Sequence, residues 1–153
     1  MALSLFIMRH GEAEMVAASD SQRPLTALGK ESNLRVAQRL AQAPIMPERL
    51  VASPYLRAQQ TAEIVRQSLG LESVATLPII TPDDPLRPVI DWLDTQSGSV
   101  MLVSHMPLVA YLCAWLLDAR PVSFMTSEVR HLELDFVAQG CARLQQTWSA
   151  DTF

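Results

Sequence analysis

The sequence predicts an α/β fold, with helices packed on a mostly parallel sheet, from three observations. Short apolar runs alternate along the chain with segments of helical spacing. Hydrophobic residues make up 49% and charged residues 18%, which is globular and excludes disordered or collagen-like chains. No repeat, linker or charge block interrupts the alternation. At 153 residues, one domain spanning 1–153 is expected, large enough to bury a core without a metal or disulfide staple.

Each element has its own justification. Leu3–Met8 is nearly continuously apolar, as a buried parallel strand is. Residues 11–25 are polar and read as a long loop; Thr26 then N-caps a helix that runs to about Ala43, before Pro44 and Pro47. Arg49–Ala52 is a second short strand. Ser53-Pro54 reads as N-cap and first helical position of a helix with the stripe Tyr55, Ala58, Ala62, Val65 and Leu69, closed by Gly70. Val74–Ile80 reads as a third strand, and Asp83–Ser97 as a helix with Leu86, Ile90 and Leu93 on one face. Val100–Val103 is the fourth strand, and Pro107 opens a helix holding Leu108, Leu112, Trp115 and Leu116. Val129–Val137 and Ala142–Trp148 alternate on either side of Gly140 and read as a strand pair.

Charge and cysteine content narrow the function. A net charge of −4 and a pI near 5.3 argue against nucleic-acid binding. Residues 1–76 hold eight Arg/Lys against seven Asp/Glu, residues 77–153 four against nine, and eleven of the twelve cations are arginine. Arginine suits sites where a planar fork grips carboxylate or phosphate. Cys113 and Cys141 are too few for a disulfide framework, match no zinc spacing and fit a reducing, cytoplasmic setting. The apolar start lacks the basic lead of a signal peptide. Ser99–Leu117 carries no Asp, Glu, Lys or Arg, but Ser104-His105 and Pro107 interrupt it, so strand, turn and helix are expected there, not a membrane span.

In an open α/β sheet, ligands bind beyond the carboxyl ends of the strands. Arg9-His10 ends the first strand, Arg57 lies in the first turns of the helix after the second, and Ser104-His105 ends the fourth. Arginines, histidines and helix N-termini meeting on one edge make an anion site. A lone strand-end histidine is commonly structural, and His131, with no cluster around it in sequence, fits that reading. Arg9 and Arg57 would repel a cation, and no acidic or thiol ligand has metal spacing, so neither metal nor other cofactor is expected. Arg35, Arg39 and Arg66 read as solvated helix faces; Glu12 and Glu14 read as solvated loop charge, with steering of His10 or proton transfer as the alternative.

Leu5-Phe6-Ile7-Met8-Arg9-His10-Gly11-Glu12 resembles the signature of the histidine phosphatase, or phosphoglycerate mutase-like, superfamily. Pro24-Leu25-Thr26-Ala27-Leu28-Gly29, Ser53-Pro54-Tyr55-Leu56-Arg57-Ala58-Gln59-Gln60-Thr61-Ala62 and Val103-Ser104-His105-Met106-Pro107-Leu108 extend the likeness in family order. The loop from Ala17 to Thr26, with Asp20 and Arg23, resembles that of the short SixA-type phosphohistidine phosphatases. The resemblance implies a three-layer α/β/α sandwich without the large inserted subdomain of mutases and sugar phosphatases. It implies that His10 attacks phosphorus and becomes a phosphohistidine, that Arg9, Arg57 and His105 hold the phosphoryl oxygens, and that Asp20 and Arg23 contact substrate or support the site. The family's acid is replaced by an isoleucine, in Ile79-Ile80; Asp83 or Asp84 could substitute, or could N-cap the next helix. The expected partner is a histidine-containing phosphotransfer domain or a phosphotransferase-system carrier, met by a monomer. A broad small-molecule phosphomonoesterase and a catalytically silent phosphoprotein-binding module are the alternatives.

Overall fold

Alternation along the first strand sets the layering of the molecule. In the computed structural model, which describes residues 2–151, the elements are β1 (Leu3–Arg9), α1 (Ala27–Leu40), β2 (Arg49–Ala52), α2 (Leu56–Leu69), β3 (Ala75–Thr76), α3 (Leu86–Leu93), β4 (Gly98–Ser104), α4 (Leu108–Leu117), β5 (Val129–Leu134) and β6 (Ala142–Trp148). Leu3, Leu5 and Ile7 of β1 pack with Val89, Leu93, Leu108, Leu112 and Leu116, whereas Phe6 and Met8 pack with Val36, Leu40, Ala58, Ala62 and Val65. The period-2 strand thus feeds two cores, with α3 and α4 on one face and α1 and α2 on the other. Three layers result, as expected from the sequence.

The sheet runs in the order β3-β2-β4-β1-β5-β6. Pairing is parallel from β3 to β1, and β5 and β6 add antiparallel neighbours. The buried centre, β1 and β4, reads as nearly continuous apolar sequence because both of its faces are covered.

Several sequence expectations need correction. The third strand shrinks from Val74–Ile80 to two exposed residues, Ala75 and Thr76, at the sheet edge; Pro78 lies in the turn that follows. Helix α3 begins at Leu86, with Pro85 at the N-cap, and ends at Leu93. Neither Asp83 nor Asp84 caps it. Instead the Asp84 carboxylate accepts hydrogen bonds from the Thr81 amide at 2.8 Å and hydroxyl at 2.6 Å, closing a turn before the helix. Helix α2 begins two residues after Pro54, with Tyr55 at its N-cap, and the Ser53 hydroxyl lies 2.7 Å from His105 instead of capping the first helical turn. Its end agrees with expectation: Gly70 takes φ 70°, the left-handed conformation of a C-cap. Helix α1 stops at Leu40, and β5 at Leu134.

The three arginines expected on solvated faces are partnered, Arg66 by the Leu71 carbonyl at 2.9 Å and the Glu63 carboxylate at 2.7 Å. Arg35 and Arg39 donate to the carbonyls of Ala150 at 3.2 Å and Ser149 at 2.8 Å, tying the end of the chain to α1. His131 is structural as read, but it is not without a cluster. Its ring stacks on Phe6 at 4.2 Å and its Nε2 lies 2.7 Å from Glu133, whose carboxylate also accepts from Ser4. Among the described residues no helix is long and apolar enough to cross a membrane; Ser99–Leu117 divides between β4 and α4.

Candidate active site

Sheet register brings the sequence-predicted residues together. Arg9 pairs with Ser104 across β1 and β4, the His10 amide donates to the Ser104 carbonyl at 3.0 Å, and the Ser53 amide donates to Val103 at 3.0 Å. Three parallel strands therefore end level with one another, and their next residues share one edge. The His10 and His105 rings lie 5.1 Å apart between centroids.

The hydrogen bonds of His10 fix its tautomer. Nδ1 lies 2.7 Å from the Gly11 carbonyl, an acceptor only, so Nδ1 carries the proton. The lone pair is left on Nε2, which accepts from Arg57 Nε at 3.3 Å. Burial pushes the His10 pKa down to about 4, and the charges of Arg57, Arg9 and Arg23 press the same way against the opposing effect of the Gly11 bond. The imidazole is thus neutral at neutral pH, with its lone pair on the nitrogen that faces Arg57.

Arg57 is buried and aimed by Asp20. Its NH1 donates to the Asp20 carbonyl at 2.6 Å and its NH2 to the Asp20 carboxylate at 3.2 Å. Arg23 holds the same carboxylate at 2.9 Å, and the two guanidiniums, Arg23 foremost, keep the Asp20 pKa below the usual carboxylate range. With three of its five N–H groups used, Arg57 keeps two for a ligand. Arg9 donates through NH1 to the Phe124 carbonyl at 2.7 Å. His105 Nε2 lies 2.7 Å from the Ser53 hydroxyl, and burial followed by the neighbouring His10 and Arg57 drives its pKa to about 2. Arg9 Nε and His105 Nδ1 are buried with no hydrogen-bond partner among the described residues. Two polar atoms of this kind, flanking a neutral imidazole and a guanidinium with spare donors, suit the oxygens of a phosphoryl group.

Asp83 and Asp84 are not bonded into this cluster. Asp84 is held by Thr81, and Asp83 is exposed; their loop is linked to the site through Ser104, whose hydroxyl donates to the Ile80 carbonyl at 2.7 Å.

Comparison with known proteins identifies the family. A family model described as histidine phosphatase superfamily (branch 1) matches residues 5–80. Phosphohistidine phosphatase SixA of Escherichia coli (strain K12) is 40% identical over 151 residues, covering 95% of this chain and 94% of the relative. This chain belongs to the histidine phosphatase superfamily. A SixA homolog of Haemophilus influenzae is 39% identical over 146 residues, covering 87% and 89% of the two chains. The solved structure of the protein histidine phosphatase SixA complexed with tungstate superposes with a TM-score of 0.89 at 38% identity, covering 96% of this chain and 97% of the other.

This histidine phosphatase site rests on residues that the sequence reading passed over. Ser53, read as a helix cap, instead meets His105 and accepts from the Tyr55 amide at 3.2 Å. Thr61 is a hub: its hydroxyl accepts from the Gly11 amide at 3.1 Å and from Asn33 Nδ2 at 3.0 Å, and donates to the Arg57 carbonyl at 2.8 Å. Asn33 Oδ1 in turn accepts from Ser127 at 2.7 Å, and the Ser127 amide donates to the carbonyls of Arg9 and His10 at 3.1 Å. All three side chains are fully buried. A faint signal existed, since Asn33 and Thr61 fall within the buried stripes of α1 and α2.

Two expected results follow from this arrangement. Thr61→Val orphans the Gly11 amide and an Asn33 N–H, costing on the order of 1–3 kcal/mol per orphaned group, which a lowered urea midpoint would register. The His10 ring is expected to titrate near pH 4 rather than near 6.5, read by NMR of ring-labelled histidine with His10→Ala as the assignment control. Because the folded state resists protonating His10, stability declines as pH falls from about 6.5 through 4, and is unaffected by this group above that window.

Proposed function

We propose that this chain is a protein-histidine phosphatase, releasing phosphate from phosphohistidine on a partner protein through a phosphorylated His10. The observation that carries it is the neutral His10, with its lone pair on Nε2 beside Arg57 and within a cluster that adds Arg9 and His105. The high identity to SixA over nearly the full chain supports the same reading. So does the tungstate held by the SixA structure, since tungstate is a tetrahedral oxyanion like phosphate.

The chemistry follows from the charges. The Nε2 lone pair of His10 attacks phosphorus in line, the substrate P–N bond breaks, and its electron pair leaves on the substrate imidazole, which takes a proton. Arg9, Arg57 and His105 hold the equatorial oxygens as charge spreads over them. Water then attacks the phosphoryl group on His10, releasing inorganic phosphate and restoring the ring. Asp20 aims Arg57, and Arg23 secures Asp20. An imidazole leaves more readily than an alkoxide, so the reaction depends little on a strong acid; Asp83 or Asp84 would supply what proton assistance there is. The partner we favour is a histidine-containing phosphotransfer domain or a phosphotransferase-system carrier, met by a monomer in the cytoplasm, a setting that suits two free cysteines.

The test is phosphate release from a phosphorylated histidine phosphotransfer domain, compared with p-nitrophenyl phosphate. Fast release from the protein with slow ester turnover is expected. Fast ester turnover with an untouched phosphoprotein would make this a small-molecule phosphatase, and ester activity lost in Asp83→Asn or Asp84→Asn would then identify its acid.

A further inference from the structure

Exposed apolar side chains on a soluble surface are ordinary when scattered, and informative when they border one site. Met15 and Val16 are 84% and 86% exposed, at the tip of a loop whose base is bound to the catalytic cluster. Arg23 stitches that base shut: its Nε donates to the Glu14 carbonyl at 2.6 Å and its NH1 to the Asp20 carboxylate at 2.9 Å, the carboxylate that also holds Arg57. Segment 15–19 is therefore closed on itself beside Arg57. A second segment behaves alike. Phe124 gives its carbonyl to Arg9, and the next residue, Met125, is 47% exposed with its amide fixed by Glu128 at 2.8 Å. At the start of the Arg57 helix, the half-buried Tyr55 packs its ring on His105 at 5.0 Å and on the Arg57 guanidinium at 5.1 Å, and Leu56 beside it is exposed.

Each segment that holds or flanks an arginine of the cluster thus presents an apolar side chain to solvent. A cationic centre with an apolar border is complementary to a phosphorylated side chain that stands out from an apolar protein surface. It does not suit a free sugar phosphate, whose hydroxyls would meet methionine and valine and lose hydrogen bonds to water. Methionine also adapts its flexible thioether to differently shaped partners.

We propose that Met15, Val16 and Met125 form an apolar docking rim for the phosphorylated partner protein, seating the surface around its phosphohistidine. The proposal rests on the phosphohistidine reading of the preceding subsection. None of the three side chains contributes to the hydrogen-bonded cluster, so chemistry and docking separate experimentally.

The test compares wild type with a chain carrying Met15→Ser, Val16→Ser and Met125→Ser on two probes: a phosphotransfer domain phosphorylated on histidine, and free phosphohistidine. The expected result is a KM for the phosphorylated domain raised about tenfold or more, since three apolar contacts are lost together, with kcat retained and free phosphohistidine turned over at the wild-type rate. Unchanged kinetics on the domain would overturn the docking rim. So would an equal loss on both probes, which would mean the substitutions had disturbed the cluster itself. A wild-type chain inert on both probes would instead overturn the phosphohistidine reading, and the rim with it.

Discussion

His10→Ala is expected to abolish phosphatase activity, with kcat lowered on the order of 10⁴-fold or more, as when a covalent nucleophile is removed. The structure makes the expectation sharp because no neighbouring side chain can take over. His105 is the nearest imidazole, but its Nε2 is engaged with the Ser53 hydroxyl at 2.7 Å, which holds its ring in a different role. A second readout separates loss of the nucleophile from loss of binding. Wild type quenched in alkali during turnover of a radiolabelled phosphoprotein is expected to carry label stable to base and labile to acid, as a phosphohistidine is, and His10→Ala none. A variant that still bound the phosphoprotein without acquiring label would place the defect in the first chemical step. Label in His10→Ala would assign the nucleophile elsewhere.

The parts legible in the sequence and the parts that were not differ for physical reasons. Arg9, His10 and His105 could be placed because each ends a strand whose apolar run is unmistakable, and parallel strands in register end together. Arg57 could be placed because Pro54 and Gly70 bracket its helix. The third strand was overread because Val74–Ile80 is apolar for another purpose: Ile80 is buried in the core against α3 and α4, not in the sheet. The roles of Ser53, Asn33, Thr61 and Ser127 could not be read, since a serine before a proline reads as a cap and a threonine in a helix reads as surface until the fold shows what faces it. Asp20 lay between. The family likeness put it near phosphate, and the structure gives it a definite task, holding Arg57 through both its carboxylate and its carbonyl.

Arg57 carries the second large effect. Arg57→Ala is expected to lower kcat on the order of 10²–10³-fold, the loss typical when one preorganised charge stabiliser is removed. Arg57→Lys is expected to recover little, because the guanidinium works in three directions at once. Its Nε faces His10 at 3.3 Å, its NH1 the Asp20 carbonyl at 2.6 Å and its NH2 the Asp20 carboxylate at 3.2 Å, while an ammonium is one point on a flexible stem. The two variants also divide the electrostatic role from the geometric one. Arg57 is one of the charges that lower the His10 pKa, though burial does more, so Arg57→Ala is expected to move the His10 titration upward. A lysine keeps the charge and is expected to hold the titration closer to wild type while still losing turnover. If Arg57→Lys restored full turnover, charge alone would suffice and the fork held by Asp20 would be incidental. Asp20→Asn, which keeps the carbonyl contact but weakens the ion pair, would then be silent as well.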